Sequence, residues 1–374
     1  MLFDLQPKRR REDLYDREEE LKEVYEAVEL GETLVLLLGI RRLGKSSLLN
    51  VALSESGKPF SKIDVRSLYF THGSIPQELL ARKLLEGLLK SLKGKDKVRM
   101  ELVKALSRIK GVKVLGLQVE FDEKPDLAGL LERLDAWAEK TGRRVIIAFD
   151  EAQYLRLSGI QYDGLIAYAV DNLPNLTFVL TGSEVGMLHD FIGLDNPKKP
   201  LFGRYAREIT LKRFSREQSR DFLRRGFDEL GVKVHEEEIE RVVEKLDGIV
   251  GWLTLYGYLR GVRKLPEKDA LNELFERAKA LVLDEVSTLT RYSARYWYIL
   301  KAVSLGNSSW SSIKEYVEFK AGKMNDAKLS ALLKNLIKYG YLEKGEEGYS
   351  IPDPVVKEVI KKTNLPPGKP LTLP

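Results

Sequence analysis

Short runs of consecutive apolar residues recur in the first 212 residues and alternate with longer stretches whose apolar residues are spaced as in helices. Runs this short and rich in Val, Ile and Leu are typical of strands buried on both faces. The predicted strands are Thr33–Leu38, Pro59–Asp64, Val145–Phe149 and Thr177–Leu180, with Glu208–Leu211 as an edge strand. Strands that alternate with helices predict an α/β fold with a doubly wound parallel sheet, whose ligands bind at the carboxyl ends of the strands.

From Arg213 to about Leu289 the apolar residues recur at helical spacing, and Ser215 with Gln218 predicts a capping box at the first of these helices. Further on, three helical stretches precede a hairpin with its tip at Gly345–Gly348, which is the order of a winged helix. Asp353 and Pro354 then predict the start of one more helix. The predicted domains are residues 1–212, a helical lid at 213–289 and a winged helix at 290–374.

A basic, helical insertion between Leu84 and Phe121 ends in a segment of alternating residues. There Leu115, Leu117 and Val119 alternate with Gly116, Gln118 and Glu120. This period of two predicts an exposed or half-buried strand, which is a candidate surface for a partner whose nature the sequence does not indicate.

The composition excludes several classes of site. The chain has no cysteine and three histidines, which excludes disulfides, cysteine-bound iron–sulfur clusters and cysteine-based zinc sites, and argues against a histidine metal enzyme. The charged first residues do not resemble a signal peptide and no apolar run is long enough for a membrane span, so a cytoplasmic protein without a membrane partner is predicted. The large charged fraction and scarce Met favour a thermophilic source.

The positive charge is concentrated near the end of the chain. From Thr290 onward there are 14 Lys and Arg against 8 Asp and Glu, whereas the preceding residues are balanced. Such an excess suggests an anionic partner, and a merely solvated surface is the alternative.

The segment from Gly39 to Ser46, GIRRLGKS, fits the phosphate-loop pattern G-x-x-x-x-G-K-[ST] and lies between a buried strand and a helix start. Successive backbone amides and the helix dipole then bind a polyphosphate, Lys45 reaches the β- and γ-phosphates, and the Ser46 hydroxyl binds Mg²⁺. The predicted nucleotide-binding residues here are Gly39, Ile40, Arg41, Arg42, Leu43, Gly44, Lys45, Ser46 and Ser47. Arg41 and Arg42 are expected to point away from the phosphates, anchoring the loop or facing a lid or a partner.

A second buried strand, in RRVIIAFDEAQYL, ends in Asp150 and Glu151. At the end of a strand neighbouring the loop strand, Asp150 is predicted to hold Mg²⁺ and Glu151 to act as general base towards water. A third buried strand ends in Thr181-Gly182-Ser183. Thr181 is a candidate for contact with the γ-phosphate or the attacking water, and an ordinary strand-ending turn is an equal alternative.

Together these segments resemble, in order from about residue 11 to about residue 360, the archaeal ATPase family of STAND and AAA-like P-loop ATPases. The segments are DLYDREEEL (13–21), GIRRLGKSSLL (39–49), IDVR (63–66), FDEAQYL (149–155), VLTGS (179–183), PLFGRY (200–205) and YSIPDPVV (349–356). The resemblance implies a RecA-like parallel sheet with helices on both faces, an α-helical lid and a winged helix, with ATP or ADP and Mg²⁺ as ligands.

The resemblance also implies roles for residues outside the loop. It places Arg17 and Glu18 near the adenine and ribose, and Arg204 where an arginine senses the γ-phosphate, with a surface ion pair as the alternative for Arg204. The sequence departs from the family in the lid, where LDGIVGWL (246–253) keeps two glycines of a Gly-Gly-x-Pro-like turn but lacks the proline.

The first functional hypothesis is a Mg²⁺-dependent ATPase whose hydrolysis moves the lid and winged helix. The alternative is a nucleotide-gated switch with little turnover that binds DNA or protein, and a P-loop kinase is less favoured because Asp150 and Glu151 suit water activation. Double-stranded DNA or a protein is the expected partner of residues 290–374. Basic residues favour DNA there, namely Lys323, Lys328, Lys334 and Lys338, whereas Glu346 and Glu347 at the wing tip oppose it.

Overall fold

The computed structural model describes residues 1–109, 111–183 and 185–364. The last residues of the predicted winged-helix domain, 365–374, therefore lie outside the described residues. The chain forms two compact units. One unit comprises Lys8–Gly39 and Lys45–Leu211. The other comprises Met1–Pro7, Ile40–Gly44 and the described residues from Lys212 onward.

The unit that contains Lys45–Leu211 is built from alternating strands and helices. Its strands are β1 (Leu34–Leu38), β2 (Phe60–Asp64), β3 (Val112–Leu115), β4 (Gln118–Phe121), β5 (Val145–Asp150), β6 (Leu176–Thr181) and β7 (Arg207–Thr210). Its helices are α1 (Glu18–Glu29), α2 (Lys45–Glu55), α3 (Val65–His72), α4 (Gln77–Ser91), α5 (Asp96–Leu106), α6 (Leu127–Lys140), α7 (Tyr162–Asn172) and α8 (Val185–Ile192). Short 3₁₀ segments lie at Arg11–Asp13 and Ala152–Ser158.

The main sheet has the strand order β2-β5-β6-β1-β7, and all its neighbouring strands are parallel. All five of the strands predicted from the apolar runs belong to it, and β7 is at the edge as predicted. The placement of β5 beside β1 is wrong, because β6 lies between them. Apolar runs predict that a strand is buried but not which strand pairs with it, so the order of the central strands could not be predicted.

Burial on both faces explains the continuous apolar runs of β1, β5 and β6. Every residue of these three strands is buried. Alternate side chains point to opposite faces, and those of one face, including Leu36, Ile147 and Phe178, form a continuous core with α4, α6 and α7. The sheet thus holds the carboxyl ends of its strands in fixed register, with Phe149 opposite Leu180.

The insertion ends in a hairpin rather than in the single strand that the alternating residues predicted. Strands β3 and β4 pair antiparallel, with Val112 opposite Phe121 and Leu115 opposite Gln118. Gly116 reverses the chain with a φ of +66°, a conformation that glycine adopts without steric cost. A continuous alternation does not show where a strand turns back, so the turn was missed.

In the other unit, the lid region consists of α9 (Arg216–Glu229), α10 (Glu236–Leu246), α11 (Val250–Gly257) and α12 (Glu267–Thr290), with a π-helical segment at Tyr258–Val262. Helix α9 begins with the predicted capping box of Ser215 and Gln218. Phe3 of the N-terminal segment is fully buried against Phe222 and Phe227, which explains why Met1–Pro7 group with these helices.

The same unit continues as a winged helix. It consists of α13 (Arg295–Ser304), α14 (Trp310–Ala321), α15 (Asp326–Lys338), β8 (Glu343–Gly345), β9 (Gly348–Ser350) and α16 (Pro354–Lys362). The predicted hairpin and its tip are confirmed by the antiparallel pairing of β8 and β9. Asp353 caps α16 by accepting from the backbone amides of Val355 and Val356, as its position before Pro354 predicted.

None of the helices in the described part of the chain has the length and apolar character that a membrane span requires.

Candidate nucleotide-binding site

The loop between β1 and α2 has the backbone that a phosphate-binding turn requires. Gly39 and Gly44 adopt φ values of +141° and +91°, which side chains disfavour, so glycine suits both positions. Helix α2 begins at Lys45 and runs for 11 residues, so its free amides and positive dipole end face the loop. The loop therefore offers an anion site built from backbone groups.

Lys45 folds back over this loop. Its side chain is buried, and its Nζ donates a hydrogen bond of 2.6 Å to the carbonyl oxygen of Gly39. A phosphate oxygen would be a charged acceptor for the same ammonium, and charge-assisted hydrogen bonds are stronger than those to a neutral carbonyl. The position of Lys45 is thus compatible with its predicted role.

Asp150, at the end of β5, has three side-chain donors around its carboxylate. Its Oδ1 accepts a hydrogen bond of 2.6 Å from the Thr181 hydroxyl at the end of β6, and its Oδ2 lies 3.0 Å from Nζ of Lys62. The Ser46 hydroxyl also donates to this carboxylate. Burial alone would raise the pKa of Asp150, but the Lys62 charge and the three donors lower it below the usual range. Asp150 is therefore held as a carboxylate.

This pair of oxygen groups fits a Mg²⁺ ion. The Ser46 hydroxyl and the Asp150 carboxylate are already in contact, and Mg²⁺ prefers such oxygen ligands, taking only one or two from the protein when it also binds phosphates. Ser46 and Asp150 meet although β6 lies between β1 and β5, and Thr181 at the end of β6 bonds to Asp150. The predicted metal ligands are thus brought together.

Glu151 follows Asp150 in a left-handed conformation, with φ of +56°. Its backbone amide donates to the Thr181 hydroxyl at 3.1 Å. Its carboxylate accepts from the side-chain amide of Gln153 at 2.6 Å and from both the hydroxyl and the backbone amide of Ser183, at 2.8 and 3.1 Å. The turn after β5 therefore directs the carboxylates of Asp150 and Glu151 to different partners, which suits two different roles.

The remaining predicted residues lie in separate environments. Arg17 is buried at the start of α1 and pairs with Glu20 at 2.9 Å. Glu18 pairs with Arg11, and the Ser47 hydroxyl accepts from the backbone amide of Lys8. The contacts of Arg17 and Glu18 with adenine and ribose stay predictions.

Arg204 lies on the surface in a bidentate ion pair. Its Nε and Nη2 donate to the two carboxylate oxygens of Asp171 at 3.0 and 2.7 Å. This is the surface ion pair that the sequence left open as the alternative, and sensing of the γ-phosphate stays a prediction.

The middle of the phosphate loop belongs to the unit of the lid and winged helix, and its two arginines contact that unit. Arg41 Nη1 and Arg42 Nη2 lie 2.9 and 3.0 Å from the same Oε1 of Glu285, on α12. All three side chains are largely buried, which strengthens the attraction relative to surface pairs. The expectation that these arginines anchor the loop or face a lid is consistent with this geometry.

Arg42 makes two further contacts in the same unit. Its guanidinium lies 4.4 Å from the ring centre of Trp252 on α11 and 4.0 Å from Asp353. Its carbonyl accepts from the amide of Gly251 at 2.9 Å, and a side chain at Gly251 would lie within 2.8 Å of Arg42. The second glycine of LDGIVGWL therefore permits close backbone approach to the loop without the proline of the family pattern.

Asp353 joins this cluster although it was predicted only as a helix cap. Its carboxylate accepts from Trp252 Nε1 at 2.9 Å as well as from the α16 amides. Burial raises the pKa of Asp353, and the Trp252 hydrogen bond and the Arg42 charge offset this only in part. We call Arg41, Arg42, Trp252, Glu285 and Asp353 the loop clamp.

A family model described as an ATPase domain predominantly from Archaea matches residues 14–255. The chain belongs to this archaeal ATPase family. A second model, the winged helix-turn-helix at the C-terminus of MCM proteins, matches residues 291–353. The resemblance inferred from the sequence and its winged helix are thereby confirmed, and membership in this ATPase family implies nucleotide binding.

Two solved structures are similar to this chain. The Walker-type ATPase PABY2304 of Pyrococcus abyssi is 42% identical, with a TM-score of 0.83 over 96% of this chain and 100% of that one. The Aeropyrum pernix ORC2 protein, solved in complexes with ADPNP and ADP, is 13% identical with a TM-score of 0.57 over 96% of both chains, which shows a likeness of fold.

Among curated proteins, an uncharacterised protein of Methanocaldococcus jannaschii is 28% identical over 170 residues. The match covers 44% of this archaeal ATPase and 34% of that relative, so the chain spans about a third of the relative's length.

Sequence reasoning missed Lys62 in the site of this archaeal ATPase, and it missed Glu285 in the loop clamp. Lys62 lies in a strand whose residues alternate between partly buried and buried, and a lysine in such a strand is a weak indication of a functional site. Its position two residues before the end of β2 strengthens that indication. Glu285 lies in a long charged helix and carries no local signal at all.

Proposed function

We propose that this archaeal ATPase binds ATP with Mg²⁺ and hydrolyses it, and that the cycle moves the lid and winged helix. The observation that carries the proposal is the arrangement at the strand ends, where Ser46 contacts Asp150 and Thr181 bonds to both Asp150 and the amide of Glu151. A phosphate loop supplies binding, whereas the second, separately directed carboxylate supplies a base for water.

In this proposal different residues of the site bind the phosphates, bind the metal and accept the proton of water. The loop amides and Lys45 hold the phosphates, while Ser46 and Asp150 hold the metal, which when bound neutralises charge on the phosphate oxygens. Glu151 accepts a proton from the attacking water. Ser183 and Gln153 orient the Glu151 carboxylate through their hydrogen bonds, so that its free lone pairs face a defined direction.

The loop clamp is the proposed link to movement. The loop that would surround the phosphates carries Arg41 and Arg42, and both side chains bind Glu285 of the lid region. A change of loop conformation on phosphate binding or release alters these contacts directly. The three-part division into residues 1–212, 213–289 and 290–374 is the corresponding proposal for the moving parts.

Hydrolysis is tested by steady-state phosphate release with Mg²⁺. We expect Lys45→Ala to lose nucleotide binding, and Glu151→Gln to bind ATP while releasing phosphate about 100-fold more slowly, the scale of a lost general base. Wild-type turnover in Glu151→Gln would refute the assigned base. Tight binding with no release above the Lys45→Ala background would favour the nucleotide-gated switch.

Coupling is tested with Glu285→Gln and the matched control Glu276→Gln, an exposed position on the same helix. Limited proteolysis of the wild type and control is expected to differ between ATP and ADP. Glu285→Gln should bind ATP normally yet give the same digestion pattern in both states. A retained difference in this variant would show that the clamp does not carry the coupling.

A second proposal concerns duplex DNA, because the winged helix presents a basic helix face. Lys328 and Lys334 are exposed on α15, and so are the small residues Ala327 and Ala331, which suits entry of a helix into a groove. The exposed Glu346 and Glu347 of the wing oppose phosphate contact. Affinity for a duplex at two salt concentrations, with ATP and with ADP, should fall with salt and fall further in Lys328→Ala/Lys334→Ala. Weak binding that does not depend on salt would exclude DNA and favour a protein partner.

A further inference from the structure

Lys62 lies on β2 and makes two contacts that join separate elements of the site. Its Nζ is 3.0 Å from Oδ2 of Asp150 and donates a 2.8 Å hydrogen bond to Oδ1 of Asn50, on α2. The side chain is 22% exposed, so the ion pair is largely shielded from water. Asn50 lies one helical turn after Ser46 on α2, and the ammonium is thus held between Asp150 and the helix that carries Ser46.

The two oxygens of Asp150 are used differently. Oδ1 is held by the Thr181 hydroxyl, a neutral donor, whereas Oδ2 is held by the Lys62 ammonium, which carries a full positive charge. Thr181 and Ser46 can keep the carboxylate oriented without adding charge. A Mg²⁺ ion drawn to Asp150 meets an ammonium already in contact with the same group.

We propose that Lys62 is a positioning residue for the metal site, which holds Asp150 through Oδ2 when the ion is absent and competes with Mg²⁺ for that oxygen. This inference rests on the proposed function, since it assigns Mg²⁺ to Ser46 and Asp150. The ammonium and the divalent ion repel each other strongly over such short distances in a partly buried site. Asn50 keeps the ammonium nearby when the ion takes its place.

The consequence is a raised Mg²⁺ requirement. In the wild type the ion displaces an existing charge partner, so more free Mg²⁺ is needed for half-maximal tightening of nucleotide binding. Lys62→Met keeps most of the side-chain length and removes the charge. It should lower that Mg²⁺ concentration by at least about tenfold, because even with the dielectric constant of water a unit charge about 4 Å from a divalent ion repels it by about 2 kcal/mol.

The test measures binding, not turnover. Affinity for a fluorescent ADP analogue is recorded in EDTA and then across free Mg²⁺ concentrations, for the wild type, Lys62→Met, Lys62→Arg and the control Lys58→Met. Lys58 precedes the same strand but pairs with Glu29. We expect Lys58→Met and Lys62→Arg to need wild-type Mg²⁺ concentrations, and affinity in EDTA to stay within about twofold in all four proteins, a difference of under about 0.5 kcal/mol.

The outcomes separate the two proposals. If Mg²⁺ does not tighten binding to the wild type, the proposed metal site fails. If it tightens binding to the wild type and Lys62→Met needs the same or a higher Mg²⁺ concentration, the competition by Lys62 is refuted. A shift in Lys58→Met equal to that in Lys62→Met would also overturn it, because the effect would then be one of general surface charge.

Discussion

Asp150 and Asp353 are about equally buried, with 6% and 7% of their surfaces exposed, yet their environments shift the pKa values of the two carboxyl groups in opposite directions. The pKa of Asp150 is lowered and that of Asp353 is raised. Both accept hydrogen bonds from several donors, and both lie near a basic side chain. Burial and hydrogen bonding alone therefore do not decide the charge of a carboxylate in this protein.

The difference lies in the cation. In the part of the chain that the structure describes, Lys62 pairs with Asp150 at 3.0 Å and with no second carboxylate, whereas Arg42 lies 4.0 Å from Asp353 and also pairs with Glu285. A nearby, unshared charge offsets the cost of burial, and a distant, shared one does not. Asp150 is thus prepared to meet a cation, while Asp353 is a structural cap whose charge is poorly tolerated.

The largest expected effect comes from removing the charge of Asp150, the carboxylate proposed to bind Mg²⁺. Asp150→Asn should weaken the Mg²⁺-dependent part of nucleotide binding by about 10- to 100-fold, as losses around metal sites do. Asp353→Asn should leave it within about twofold, which is under about 0.5 kcal/mol. Titration of free Mg²⁺ with a fluorescent nucleotide checks both, and equal losses in the two variants would show that the two carboxylates do not differ in role.

An intermediate effect is expected when each carboxylate loses one neutral donor. Trp252→Phe and Thr181→Val each leave a buried acceptor short of a hydrogen bond, at a cost of about 1–3 kcal/mol in the free energy of unfolding. Guanidinium unfolding measures this cost. Only Thr181→Val should also weaken Mg²⁺-dependent nucleotide binding, and a similar loss in Trp252→Phe would mean that the cap acts on the metal site.

The smallest expected effect is the contribution of Asp353 to the pH dependence of the free energy of unfolding. The folded-state pKa of Asp353 is raised, so the folded protein binds the proton of this carboxyl more tightly than the unfolded chain does. The contribution of Asp353 to the free energy of unfolding therefore falls as pH rises from the ordinary aspartate pKa through the folded-state pKa. Asparagine keeps an Oδ1 acceptor for the α16 amides and does not titrate.

The stability of wild type relative to Asp353→Asn should therefore decrease with rising pH across that window. Unfolding midpoints in guanidinium at several pH values provide the measurement. A constant difference would mean that the pKa of Asp353 is not raised.

Much of the fold was predictable because its signals are local. Consecutive buried residues indicated β1, β5 and β6, and the pattern from Gly39 to Ser46 indicated the loop. The order of these strands in the sheet was not predictable, because strands that pair are distant in sequence and equally apolar. The insertion hairpin was missed for a related reason, since alternation persists across a tight turn.

The candidate site was predictable to the same extent. Ser46 and Asp150 carry motif signals and do meet, whereas Lys62 and Glu285 act through partners far away in the chain. Glu285 is one of 56 acidic residues, and nothing in its neighbourhood distinguishes it. Charge pairs between remote segments depend on the folded backbone, so only the structure reveals them.

The hydrogen bond from the Gly251 amide to the Arg42 carbonyl makes the hydrogen-exchange rate of this amide a measure of loop movement during the proposed ATPase cycle. An amide exchanges its proton with solvent only when its bond opens. The deuterium uptake of peptides that contain Gly251 therefore reports how often α11 releases the phosphate loop. A nucleotide that loosens the clamp would speed this exchange before any large movement begins, which places the first event of the proposed cycle within reach of mass spectrometry.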